Sequence, residues 1–250
     1  MSAIKSILHM LWMLVTVVPV AVVLLSAAAF QFNGRVLYKI AVFWLSLAIL
    51  GARHILGIRY VVQGHEHLPT LDQPCILLVK HQSTYETFLM PVIMPKDLAY
   101  VFKRELLFVP FFGWAIGQLD MIHIDRKMKS QAFQKVVQQG KDLLNKGIWV
   151  IMFPEGTRIP RGQKGNYKSG GARLAIETGV PVIPIAVNSA TCWPRKAFVK
   201  KSGLVTVSIG PAISSHGRQA DELMAEVEQW IEDEMHQLDP AAYDKVSQQP

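Results

Sequence analysis

The chain is expected to fold as an α/β domain, a mixed sheet flanked by helices, preceded by a membrane-associated helical hairpin. Three observations carry that expectation. Seven short apolar runs recur from residue 58 onward, several of them continuous rather than alternating, which is the pattern of strands covered on both faces. Between them lie segments whose apolar residues repeat at helical spacing. Ahead of both, residues 7–30 contain no Asp, Glu, Lys or Arg.

That uncharged run begins the chain's organisation. A helix rising 1.5 Å per residue over it would be about 36 Å long, enough for a hydrocarbon layer of about 30 Å. A second apolar stretch, residues 36–50, carries only Lys39, and Gln31-Phe32-Asn33-Gly34 separates the two as a turn. A cleaved secretory leader is an alternative, since Lys5 precedes the run and Ala27-Ala28-Ala29 resembles a cleavage site. The run, however, exceeds the roughly 7–15-residue apolar core of such leaders. A single buried globular helix would need a larger domain around it. A retained hairpin is the expectation, giving hairpin 1–55, domain 56–238 and a frayed tail 239–250.

Within the domain, strands are expected at 58–63, 75–79, 98–102, 121–124, 148–153, 182–187 and 205–209. Phe133, Val136, Val137, Gly140 and Leu144 form one helical stripe, and Met224, Val227, Ile231 and Leu238 another. Such stripes face a core. A further helix should start at Ser83 or Thr84, with Tyr85, Phe88 and Leu89 inside it.

Composition narrows the class of partner. Half of the 250 residues are apolar and only 18% charged, which is unusual for a domain free in solution. A net charge of +7 and a pI near 9.4 suit a surface of anionic lipids. Nucleic acid is the other usual partner of a basic chain, but there is no helix-turn-helix, RNP-type or zinc-finger pattern, so none is expected. Cys75 and Cys192 are too few and too far apart for a metal motif, and they read as packed, reduced thiols of a cytosol-facing domain. No metal site is expected.

Two segments carry the chemistry. In His81-Gln82-Ser83-Thr84-Tyr85-Glu86, a histidine follows the apolar run 75–79 and a carboxylate follows it by five residues. Inside one helix, positions five apart lie about 140° apart and do not meet. With His81 in the loop before the cap, its ring can turn back to Glu86, which fixes the tautomer and leaves the second nitrogen free as a base. Ser83-x-x-Glu86 is equally a capping box, in which Glu86 serves only the backbone. Ser83 lacks the G-x-S-x-G elbow of a serine nucleophile.

The second segment is Phe153-Pro154-Glu155-Gly156-Thr157-Arg158. Pro154 stops a strand, and Gly156 permits a turn that could present N–H groups to an anion. Arg158 offers a planar fork for phosphate oxygens. Between residues 154 and 173, Arg158, Arg161, Lys164, Lys168 and Arg173 face only Glu155, a local excess of four positive charges. A solvated loop is the alternative; a strand's exit is where α/β domains usually bind ligands. Lys103-Arg104 and Asp125-Arg126-Lys127 follow two further strands, and residues 107–114 between them are strongly apolar, suited to core filling, an acyl pocket or a membrane surface.

In these residues the chain resembles the 1-acylglycerol-3-phosphate acyltransferases of the wider glycerolipid acyltransferase family. Their four segments occur in order: His81 to Glu86; Lys103-Arg104-Glu105-Leu106 through Gly113 to Arg126; Phe153 to Arg158; and Val180-Pro181-Val182-Ile183-Pro184-Ile185. The match covers residues 58–210, and an N-terminal helical pair is typical of bacterial members. The resemblance implies His81 as general base with Glu86 as its orienting partner. It also implies that Lys103, Arg104, Arg126 and Arg158 hold the phosphate of lysophosphatidic acid. Glu155, Gly156 and Thr157 would position its glycerol, and the Pro184 segment would shape the acyl side. It implies no cofactor, an acyl-CoA or acyl-carrier-protein thioester as donor substrate, and a bacterial inner membrane with the catalytic domain facing the cytoplasm. One departure stands out: the usual pattern is Asn-His with Asp at the fifth position, whereas here Lys80 precedes His81 and Glu86 replaces Asp. Transfer to another lyso-lipid, acyl hydrolysis and non-catalytic lipid binding are the competing readings.

Overall fold

The computed structural model describes residues 2–125 and 129–243, with 129–132 described by their backbone course alone. Helix α1 (Ser2–Ala29) runs unbroken through Ala27-Ala28-Ala29, and α2 (Gly34–Gly51) returns beside it. Asn33 starts the return, its side chain accepting the Val36 N–H at 3.0 Å. Polar ties between the helices are few and specific. Trp12 Nε1 donates to Leu47 O at 2.8 Å, and Trp44 Nε1 donates to Thr16 Oγ1 at 3.2 Å. By length and composition, both Ser2–Ala29 and Gly34–Leu56 suffice to cross a bilayer.

The seven expected strands are all present: β1 (Ile58–Gln63), β2 (Ile76–Val79), β3 (Leu98–Lys103), β4 (Ile122–Ile124), β5 (Trp149–Met152), β6 (Val182–Val187) and β7 (Gly203–Ile209). They form one sheet in the order β1-β7-β6-β2-β5-β3-β4. β2 to β6 run parallel; β7 is antiparallel to β6 and carries β1 parallel to itself, so the sheet is mixed. Because parallel strands share a direction, the exits of β2, β3, β4 and β5 all open at one edge. That edge receives His81, Lys103 and the segment from Phe153.

Helices cover both faces. Helix α3 (Tyr85–Ile93) and the end of α2 pack on one, bringing Trp44, Ala48, Phe88 and Leu89 against Leu77, Val79, Tyr100 and Ile151. The other is covered by α5 (Lys129–Asn145), α6 (Gly170–Thr178) and α7 (Ala220–Leu238), with Val136, Leu174, Val227 and Ile231 against Ile76, Leu78 and Val150. The short helix α4 (Phe112–Ile116) leans on the hairpin through Phe112 and Trp44, ring centroids 6.0 Å apart.

Both the hairpin and the segment after α7 pack against the domain. Trp44, Ala48, Ile49 and Ala52 of the hairpin belong to the same core as the strands. The tail is ordered as far as Tyr243. Asp239 accepts two bonds from Arg161, each 2.6 Å, and α8 (Pro240–Tyr243) buries the Tyr243 ring. Gly162, at φ +77°, lets the 160s loop approach the Ala242 backbone more closely than any side chain would permit. Residues 244–250 lie outside the described residues.

Candidate active site

Side chains on a strand alternate between faces. Continued past β2, that alternation sends Ile76, Leu78 and Lys80 toward α7, and Leu77, Val79 and His81 toward α3. The consequence at position 80 is severe, since an ammonium with no exposed surface costs several kcal/mol unless paired. Lys80 Nζ donates to Glu155 Oε1 at 2.7 Å, to Glu232 Oε1 on α7 at 2.6 Å and to Gln163 O at 3.3 Å, which uses all three of its protons. Tyr167 donates its hydroxyl to Glu232 Oε1 at 2.8 Å, and its ring lies 5.7 Å from Lys80 Nζ. Burial pushes the Glu155 carboxyl up, while the Lys80 charge and hydrogen bond and the His81 N–H draw it down.

The segment after β5 then grips His81 in three ways. Glu155 Oε2 accepts the His81 N–H at 2.8 Å, the Ile159 N–H donates to His81 O at 2.8 Å, and the imidazole stacks on Phe153 with centroids 3.9 Å apart and planes 17° apart. The ring's direction is set by Glu86. His81 Nδ1–H donates to Glu86 Oε1 at 2.9 Å, across the loop-to-helix junction that a five-residue spacing requires. The same oxygen accepts the Gln82 and Ser83 N–H groups at 2.9 and 2.7 Å, so the orienting and capping readings of Glu86 hold together. Ser83 Oγ in turn accepts the Tyr85 N–H at 3.1 Å, the Asx-like turn that opens α3. Glu86 is wholly buried, whereas the His81 side chain keeps 16% of its surface. With Nδ1 committed, Nε2 is the lone-pair nitrogen, and it has no protein partner among the described residues.

The cations sort into two groups. Arg161 is bound to Asp239, Lys164 to Glu228 Oε1 at 2.5 Å, and Arg173 lies on α6 with its guanidinium 3.9 Å from the Phe133 ring centre. These three serve the fold. Arg158 donates through Nη1 to Thr84 Oγ1 at 2.7 Å, within the His81–Glu86 segment, and has no carboxylate partner among the described residues. Lys168 Nζ lies over Gly156, and Lys103 and Arg104 are exposed at the exit of β3. Nearby, Lys135 Nζ of α5 stands 2.9 Å from Nε2 of His123 on β4, whose ring is held below the usual histidine range by burial, Lys135 and Arg104. Arg126 lies outside the described residues.

Three of the expected residues are turned inward. Both oxygens of Glu155 are engaged inside the protein, on Lys80 and on the His81 N–H. The Gly156 N–H closes the turn onto Phe153 O at 2.9 Å rather than pointing at an anion, and the φ of +65° is what the turn requires of Gly156. In the Pro184 segment, Val182–Ile185 lie in β6, which is buried along its whole length, and Pro181 ahead of it is half-buried. Of Glu155, Gly156 and Thr157, Thr157 alone is exposed. Sequence reasoning had no role for Lys80, Glu232 or Phe153. The period-2 continuation of β2 past Val79 was the available signal for Lys80. Glu228 and Glu232, one helical turn apart beside the apolar stripe of α7, were the signal for its partner.

Fold and site together describe an α/β enzyme whose histidine–carboxylate pair sits beside a cationic rim. A family model described as Acyltransferase matches residues 59–188, and the chain belongs to that family. It is 44% identical over 200 residues to the 1-acyl-sn-glycerol-3-phosphate acyltransferase of Pseudomonas aeruginosa, covering 79% of this chain and 77% of that one. It is 32% identical over 184 residues to the 1-acyl-sn-glycerol-3-phosphate acyltransferase alpha of Homo sapiens, covering 72% and 64%. The fold matches that of the 1-acyl-sn-glycerophosphate acyltransferase PlsC of Thermotoga maritima with a TM-score of 0.78 and 24% identity, over 95% of this chain and 98% of that one.

Proposed function

We propose that this protein transfers an acyl group from a thioester donor to the sn-2 hydroxyl of 1-acylglycerol 3-phosphate, giving phosphatidic acid for phospholipid synthesis. The observation that carries the reading is the committed Nδ1 of His81, which leaves Nε2 as a base, with Arg158 anchored in the same loop cluster. The names of the relatives support the same reaction. In the proposed step, Nε2 takes the acceptor's hydroxyl proton as its oxygen bonds to the acyl carbon. The carbon–sulfur bond breaks, and the proton passes to the departing thiolate. A thiol of that kind has a pKa near 8.5, by analogy with cysteine, so the imidazolium protonates the thiolate readily. Glu86 steadies the transient imidazolium through Nδ1–H. The donor, acyl-CoA or acyl-carrier-protein, is a substrate, and the step calls for no resident cofactor or metal.

Arg158, with Lys103, Arg104 and Lys168 around the same sheet edge, would hold the acceptor phosphate; Arg126 would join them by resemblance, and the exposed Thr157 beside Arg158 would position the glycerol. The hairpin would lie in the bacterial inner membrane with the catalytic domain on the cytoplasmic side. Its outward apolar residues, among them Leu11, Val15 and Val22, support this, and so do exposed Phe108 and Trp114 beside the rim. The free, buried thiols Cys75 and Cys192 suit a reducing compartment.

The test is donor–acceptor profiling of purified protein by mass spectrometry. Lysophosphatidic acid should outcompete lysophospholipids with other head groups and lyso-aminolipids. Preference for one of those would reassign the acceptor, and full-rate fatty acid release without acceptor would make the protein a hydrolase.

A further inference from the structure

Glu86 holds its four donors unevenly. Oε1 accepts three of them, from His81 Nδ1, Gln82 N and Ser83 N, all supplied by its own loop. Oε2 accepts one, at 2.6 Å, from the hydroxyl of Ser189, a residue 103 positions away and without exposed surface. We propose that Ser189 is a positioning residue for catalysis, the donor that fixes the plane of the Glu86 carboxylate and through it the direction of the His81 ring.

Donors on one oxygen fix that oxygen, but the carboxylate can still pivot about it through small compensating changes in the side-chain torsions, tilting its plane. A bond at the second oxygen removes that freedom. Here it comes from a separate part of the fold, outside all four of the segments that carry the family resemblance. Ser189 opens the 3₁₀ turn Ser189–Thr191 at the exit of β6. Its neighbour Asn188 is clamped on both sides: Oδ1 accepts the Thr206 N–H of β7 at 2.8 Å, and Nδ2 donates to Leu238 O at the end of α7 at 3.1 Å. The Ser189 carbonyl accepts the N–H groups of Cys192 and Trp193 at 3.2 and 2.9 Å. The hydroxyl is thus delivered to Glu86 from a site braced by β7 and α7. A carboxylate is an acceptor only, so Ser189 acts as donor. Among the described residues no other group donates to Oε2.

This inference rests on His81 being the general base, and the experiment separates the two. Steady-state acyl transfer to lysophosphatidic acid is measured for the full chain, S189A, H81A and the double variant. S189A should lower kcat by about 10- to 100-fold, the range for a lost hydrogen bond to a charged group, with KM for the acceptor within about threefold. In the H81A background the same change should cost less than about twofold, because no base remains to be aimed. A loss of equal size in both backgrounds, or one carried by KM, would assign Ser189 to packing and overturn the proposal. So would wild-type kcat in S189A alongside an inactive H81A. Near-normal kcat in H81A would instead overturn the reading of His81, and this inference with it.

Discussion

The two sides of the site are built on opposite principles. Around His81 the groups that set the ring's position are held: the ring is stacked and hydrogen-bonded through Nδ1, its peptide is bound at both N–H and C=O, and the carboxylates of Glu86 and Glu155 behind it accept donors on both oxygens. Around the rim the reverse holds, with Lys103 and Arg104 exposed and Arg158 tied to a hydroxyl rather than to an acid. The base side stores geometry, and the rim stores unneutralised charge. A proton-transfer step gains from a group that does not move, because the gain comes from orientation fixed before the substrate arrives. An anion site gains from charges that no resident carboxylate has already neutralised.

Substitutions in the two sides should therefore fail differently. The largest effect belongs to Lys80→Met, which leaves Glu155 and Glu232 facing each other without a cation. Removing one partner of a buried ion cluster costs about 3–5 kcal/mol. Thermal melts should show a drop of many degrees together with loss of turnover. Glu232→Gln should be milder, since Tyr167 and Lys80 can still bond the amide oxygen; a melt as damaged as that of Lys80→Met would dissolve the distinction. On the rim, Arg158→Ala should raise the acceptor KM by about 10- to 100-fold, the range for a charge-assisted bond, and leave the melting temperature nearly unchanged. A fall in kcat at constant KM would move Arg158 to the base side of the comparison. Lys103→Ala and Arg104→Ala should each cost about two- to fivefold in kcat/KM, shrinking as salt is raised, because exposed charges are screened beyond about 10 Å at 0.1 M salt. Thr84→Val should have the smallest effect, about 0.5 kcal/mol of Arg158 anchoring at the low end for a single hydrogen bond, seen as a KM rise of about twofold.

How far the sequence could be read follows the same division. The seven strands and the stripes of α5 and α7 were legible because burial on both faces writes continuous apolar runs and period-3.6 stripes directly into composition. Helix α6 was not, because its Gly170-Gly171 start and Arg173 merge with the basic loop before it. His81 and Glu86 were legible through a spacing that makes sense only across a loop–helix junction. The inward turn of Glu155 was not legible, because a carboxylate in a cationic segment looks destined for the ligand; nothing local says that a lysine 75 residues earlier has been buried by strand alternation. Ser189 was invisible for the same reason, its partner being 103 residues away. The end at Tyr243 was read as frayed because Pro240 and Gln248 suggest a tail. The Gln82 amide that donates to Tyr243 Oη at 2.8 Å belongs to a segment read for catalysis.

The account rests on Nε2 of His81 as the proton acceptor, and the direct measurement is steady-state acyl transfer by folded His81→Ala beside Arg158→Ala. The account predicts a fall of about 10²–10⁴ in kcat for the first, with acceptor KM little changed, and the opposite pattern for the second. Near-normal kcat in a correctly melting His81→Ala protein would contradict it.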